Sequence, residues 1–178
     1  MIGRRHRVTV GLVALALAAV AAQPAVARPA AAACSAGQLS GHLRDSSPDL
    51  GSIVLSIAVR NISPQACTLR GFPGLRLHSA AGPLPTHVVL LHLLAILDRP
   101  VTTVYLVPGA RASLLVAYPR RSDGSKANVP IEPGSCKNVK RLSIILGHSH
   151  GSFSLPLEAH MCSSGLSESP FVAGLVNA

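Results

Sequence analysis

Three histidines near the C-terminal end have the types and spacing that could do chemistry. "GHSHGS" places His148 and His150 two residues apart, and "EAHMC" follows with Glu158, His160 and Met161. On a β-strand the side chains of residues i and i+2 share a face. Two imidazoles there, joined by a third, could hold Zn²⁺ or Cu²⁺ with Glu158 as a neighbouring carboxylate. Glycines 147 and 151 flank the first pair, however, and a turn at that point would destroy the shared face. A copper-site order of Cys followed by His and Met is not met, because Cys162 comes after both. Serine-hydrolase chemistry needs a nucleophile on a strained G-x-S-x-G elbow, and none occurs. The acidic residues are scattered, with no local pair for glycoside hydrolysis. A metal-dependent or hydrolytic enzyme using His148, His150 and His160 is therefore the alternative reading. The preferred one is non-enzymatic, with no catalytic residue, metal or cofactor assigned.

The cysteines bear on the same choice. Cys34, Cys67, Cys136 and Cys162 form an even set without a C-x-x-C spacing, which argues against a zinc knuckle or a redox pair. Their meaning depends on compartment. "MIGRRHR" is a basic n-region, "VTVGLVALALAAVAA" an apolar h-region, and "AVA" (Ala25 to Ala27) a small-residue cleavage site before Arg28. The apolar run falls short of the roughly 20 residues that span a bilayer, so no transmembrane helix is expected in the mature form. A signal peptide over 1–27 and a secreted or envelope-associated protein follow. Lipid anchoring at Cys34 fits less well, because "AAAC" lacks a Leu or Val three residues before the cysteine. In an exported chain oxidised pairs are the default. Four cysteines allow three connectivities, and the sequential one, Cys34 with Cys67 and Cys136 with Cys162, is favoured. Cys67 is then a staple.

About 150 residues remain after cleavage, enough for one domain with a core. Without the three arginines of the n-region, 13 basic residues face 7 acidic ones. The excess is dispersed. Arg60, Arg70 and Arg76 alternate with apolar residues, and local clusters are limited to Arg120 with Arg121 and to Lys137, Lys140 and Arg141. Three Phe, two Tyr and no Trp leave little for base stacking, so no nucleic-acid partner is expected. A basic surface of this kind suits an envelope protein, a glycan or an anionic lipid surface. Oligomeric state is not legible.

The elements that would position these groups are short strands. "SIVLSIAVRN" alternates, with Ile53, Leu55, Ile57 and Val59 on one face and Ser52, Ser56 and Arg60 on the other. "ACTLRG", "LRLHSA" with Leu75 and Leu77 inward, "SLLVAYP", "VKRLSIILG" and "GSFSLPLEA" read as further strands. "RRSDGSKANVPIEPGS" is a polar loop. Proline and glycine arrive every 8–12 residues or so, the punctuation of an all-β sandwich. The expectation is a single immunoglobulin-like or Greek-key β-sandwich of seven or eight short strands, stapled by disulfides, over residues 34–165. Residues 28–33 would be a disordered mature N-terminus and 166–178 a tail or edge strand. The turn residues are structural: Pro73 fixes φ and Gly74 is free to take φ > 0 in "RGFPG", with Gly71 before them and Phe72 plugging the core at the corner. Pro108 and Gly109 form a type II turn. One run stands apart, Val88 to Leu97, apolar except for His92. Burial explains it best, and an exposed docking ridge is the alternative.

Taken together, "CTLRGFPG" (Cys67 to Gly74) and, further on, "LVPGARASLLV" (Leu106 to Val116) resemble the exported actinobacterial domain-of-unknown-function family 4232. Its leading cysteine corresponds to Cys34, its strand ending in Asn to "AVRN" up to Asn61, and its two later cysteines to Cys136 and Cys162. The resemblance covers nearly all of the mature chain. It implies a secreted or cell-envelope β-sandwich without an assigned reaction. The run at Val88 to Leu97 departs from the family pattern. The functional expectation is a binding or interaction module of the cell envelope.

Overall fold

A computed structural model describes residues 31–49, 51–88, 96–119, 136–147, 150–161 and 165–178. Among these, twelve strands and one 3₁₀ turn (Ala36–Gln38) account for the regular structure. The strands are β1 (Leu39–Asp49), β2 (Ser52–Asn61), β3 (Cys67–Arg70), β4 (Gly74–Ser79), β5 (Gly82–Pro83), β6 (His87–Val88), β7 (Thr103–Leu106), β8 (Arg111–Pro119), β9 (Lys137–Ile145), β10 (Ser152–Met161), β11 (Gly165–Glu168) and β12 (Val172–Ala173).

One sheet runs β1-β2-β8-β11-β6, with β12 also on β8; the other runs β10-β9-β4-β5; β3 and β7 form a separate ribbon. Pairs β1–β2, β2–β8, β9–β10, β4–β9 and β4–β5 are all antiparallel. The first two strands thus share a sheet with β8, while β4, β9 and β10 make the other. That is the immunoglobulin-type order, in which strands A, B and E oppose C, F and G. The expected all-β sandwich is present.

Its core lies between the sheets. Leu55, Ile57 and Val59 of β2, Leu114 and Val116 of β8, Leu75 and Leu77 of β4, Leu142 and Ile144 of β9, and Leu155 and Leu157 of β10 are all buried in one cluster. The alternation that predicted the inward faces of β2 and β4 holds. The outer face of β2 does not behave as expected. Ser56 is fully buried, and Val54, Leu115 and Ala117 join Leu97 in a second cluster under Ile96, Val176 and Ala178. The cover is the C-terminal segment. It pairs with β8 twice, through Ser167 opposite Ala117 and Val172 opposite Ser113, then turns back across the sheet. Ser113 Oγ donates to the Gly174 carbonyl at 2.8 Å and accepts from the Val176 N–H at 2.8 Å, and Ser56 Oγ donates to the Val176 carbonyl. A serine on a strand's outer face is therefore no sign of solvent when another segment supplies its partner.

Strand β1 was not legible as a strand. "LSGHLRDSSPD" carries Gly41, Pro48 and three serines, residues depleted from strands, and it is tolerated because β1 is an edge with a register shift between Leu43 and Asp45. The stretch expected to be disordered before Cys34 is partly tied down as well: Thr68 N–H donates to the Ala32 carbonyl at 2.9 Å, and Cys34 N–H donates to that of Thr68 at 2.9 Å. The Cys34–Cys67 disulfide holds the two segments together there, Cα to Cα 4.9 Å. Cys136 is disulfide-bonded too, while its expected partner Cys162 lies outside the described residues.

Candidate functional site

The strand pattern of β4, β9 and β10 decides what the second sheet shows to solvent. With Leu75, Leu77, Leu142, Ile144, Leu155 and Leu157 turned inward, the residues between them face out. Two transverse rows result. Arg76 stands opposite Ser143, which stands opposite Ser154; in the next row His78 stands opposite Arg141, which stands opposite Pro156. Arg76 and Arg141 are diagonal neighbours, at a spacing of about 7–8 Å in such a sheet. Both are exposed.

Between them lies a hydrogen-bonded chain. Ser143 Oγ is 2.8 Å from His78 Nε2 and 2.8 Å from Ser154 Oγ. Ser143 is buried, whereas Ser154 is exposed. Burial lowers the His78 pKa below its ordinary 6.5, and the positive charges of Arg141 and Arg76 lower it further. The same two cations that disfavour a proton on His78 would favour an anion beside it. Neither row contains a carboxylate. Along the sheet, Lys140 Nζ and Glu158 Oε2 form an ion pair at 2.6 Å, and Lys137 extends the basic strip on β9.

The Ser143–His78 contact has the length of a nucleophile–base pair, but its surroundings differ from one. A catalytic imidazole is held by an acid that stabilises its protonated form. His78 instead faces two arginines that destabilise it. Positive charge, and no acid, stands in the two rows around the imidazole.

The sequence-predicted groups fall in several places. Lys137, Lys140 and Arg141 are all exposed on β9; the register puts Arg141 on this face, and Lys140 is neutralised locally by Glu158. Arg120 and Arg121 lie outside the described residues, as do His148 and residues 89–95 of the apolar run. Of that run's ends, Val88 is 38% exposed and Leu97 is buried at 4%. His150 precedes β10, and His160 sits near its far end, where its Nδ1 meets Asn138 Oδ1 at 2.8 Å. A strand of that length separates them by about 30 Å, too far to share a metal ion. No group of three metal-ligating residues converges among the described residues.

The turn residues need one correction. Gly71, at φ 79°, takes the left-handed conformation expected of Gly74, while Gly74 lies extended in β4 against Ile145. The left-handed residue comes three positions earlier than expected; Phe72 points outward, 43% exposed, and Pro73 is buried in its place. At the other turn Gly109 has φ 79°, and Ala110 N–H donates to the Val107 carbonyl at 2.9 Å, which is the type II geometry expected after Pro108.

A family model described as a domain of unknown function (DUF4232) matches residues 34–171. The chain belongs to that family. The DUF4232 match opens at the bridged Cys34, takes in both rows of the basic face and ends at Phe171, beside the second pairing of the C-terminal segment with β8. No curated protein and no solved structure matches the chain. His78, Ser143 and Ser154 of this DUF4232 domain were not singled out from sequence. The signal was the coincidence of "LRLHS" and "KRLSII", each alternating a cation or polar group with leucine, on strands that prove to be neighbours.

Proposed function

We propose that this protein is a non-enzymatic, extracytoplasmic binding module that holds anionic polymers of the cell envelope against the outer face of β4, β9 and β10. The observation that carries the reading is the pair Arg76 and Arg141 astride the His78–Ser143–Ser154 chain, in two rows free of carboxylates. Exposed guanidinium groups recognise phosphate and carboxylate by paired hydrogen bonds, and an open sheet face suits an extended chain. A disulfide-bonded sandwich agrees with an oxidising compartment. Among the described residues no helix is long and apolar enough to cross a membrane.

The test is retention of the full mature chain on immobilised polyphosphate at low salt. Wild-type protein is retained, and the double reversal Arg76→Glu with Arg141→Glu elutes in the flow-through. Equal retention of the two proteins would remove this face from the account.

A further inference from the structure

A second site lies away from the basic face, at the end of the ribbon that β3 and β7 form. There a groove of about 360 Å³ opens beside the Cys34–Cys67 disulfide. Its floor is apolar: Leu69, Leu146 and Phe171 line it at 4%, 6% and 2% exposure. Phe72 and Val101 flank it, exposed at 43% and 41%, and so offer large apolar surfaces to whatever enters. Small-molecule sites share this design, an apolar cleft with a few placed polar groups and a volume of roughly 300–1,000 Å³.

The polar groups in the lining identify the occupant. Arg70 and His150 line the groove, and among the described residues no carboxylate does. Arg70 Nη1 donates to Thr103 Oγ1 at 3.0 Å, across the β3–β7 pairing. That bond steadies the guanidinium and leaves its other N–H groups to bind a ligand. We propose that this groove binds a small amphiphile with a carboxylate head and an apolar body, the head on Arg70 and the body against Phe72, Leu146 and Phe171. A fixed guanidinium fork matches a carboxylate in two parallel hydrogen bonds, and an apolar body covers the exposed ring of Phe72. The site is independent of the polymer-binding reading.

The test is calorimetric titration of the full mature chain with decanoate, below its micelle concentration, and with decanol as the uncharged counterpart. Decanoate saturates a single site and binds at least about tenfold tighter than decanol. Arg70→Gln reduces decanoate to the decanol level and leaves decanol unchanged. Val101→Trp, which fills the mouth of the groove, removes both. Both substituted residues are exposed, and an unchanged disulfide map and circular dichroism spectrum verify the fold of each variant. The variant with Arg76→Glu and Arg141→Glu binds decanoate as wild type does. Absence of saturation, equal binding of decanol by wild type, undiminished decanoate binding in either groove variant, or loss in the sheet-face variant would each overturn the proposal.

Discussion

Glu168 stands directly opposite Val116 in the antiparallel pairing of β11 with β8, on the face that Val116 turns to the inter-sheet core. Residues directly opposite in such a pair share a face, so a carboxyl group enters an apolar layer. Glu168 is 6% exposed, and its Oε2 has no hydrogen-bond partner among the described residues. Burial pushes its pKa up from 4.5 to about 8. Tyr118, further along the same face of β8, has its phenol pushed up by burial too. Near neutral pH the folded protein carries Glu168 protonated, a state that costs less in an apolar site than the carboxylate.

A pH dependence of stability follows, and its sign is fixed by the raised pKa. The unfolded chain releases the proton above about pH 4.5, while the folded chain keeps it until about pH 8. Between those values stability falls with rising pH, by about 1.4 kcal/mol per unit from this group. Glu168→Gln removes that slope, so the variant matches wild type at pH 4 and melts higher at pH 8. Thermal unfolding across pH 4–9 checks it. Parallel curves for the two proteins would mean that the carboxyl group finds a partner in solution.

His78 makes binding on the basic face depend on pH, with acid strengthening it. Its pKa is lowered by burial and by Arg141 and Arg76. An anion held between those arginines offsets their repulsion and raises it again, so binding takes up a proton. Retention on polyphosphate therefore strengthens as pH falls below 6.5, with a higher salt concentration needed for elution at pH 5.5 than at pH 7.5. His78→Gln keeps the basal retention and loses the difference. A wild-type elution point that does not move with pH would show that the anion does not reach His78.

Much of the fold could be read from alternation, because a strand buried on one face writes its orientation into every second residue. Ile57, Leu77 and the other inward residues were placed that way. What escaped were features fixed by partners distant in sequence. Ser56 reads as solvent-facing until the C-terminal segment is laid over it. The edge strand β1 has no apolar stripe to read. The basic face was half legible: the cations of β9 stand together in sequence, but Arg76 and His78 join them only through the β4–β9 register. At "RGFPG" the turn was recognised, and the residue carrying the positive φ was displaced from Gly71 to Gly74, since either glycine could carry it.

That displacement gives a direct test. A Cβ built on Gly71 meets nothing within 4 Å, so any cost of Gly71→Ala comes from the backbone at φ 79°. The expected loss is about 1–2 kcal/mol, and Asn at the same position loses less because it tolerates the left-handed region. Denaturant unfolding of the two variants measures it. Equal stability of Ala and Asn would place the strain elsewhere.

The Asn61 side chain makes four hydrogen bonds. Fully buried at the end of β2, it donates through Nδ2 to the carbonyls of Gln65 at 2.7 Å and Leu106 at 3.0 Å. Its Oδ1 accepts from Ser63 N–H at 3.0 Å and from Ser63 Oγ at 2.9 Å. Its backbone also closes the Pro108–Gly109 turn, accepting from Gly109 N–H at 2.8 Å and donating to the Ala110 carbonyl at 3.0 Å. One side chain thus joins the bend after β2 to β7. Asn61→Ala leaves the buried Leu106 carbonyl without this donor, at a cost of about 3 kcal/mol. Asn61→Asp keeps the acceptor toward Ser63 but loses both donors and places a carboxyl group against two carbonyls, so it is destabilised at least as much at pH 7 and recovers in part at pH 4, where the acid can donate one hydrogen bond. Denaturant melts of the two variants at both pH values separate the roles. If Asn61→Asp showed no recovery at pH 4, the donor bonds to Gln65 and Leu106 would not be what holds the bend.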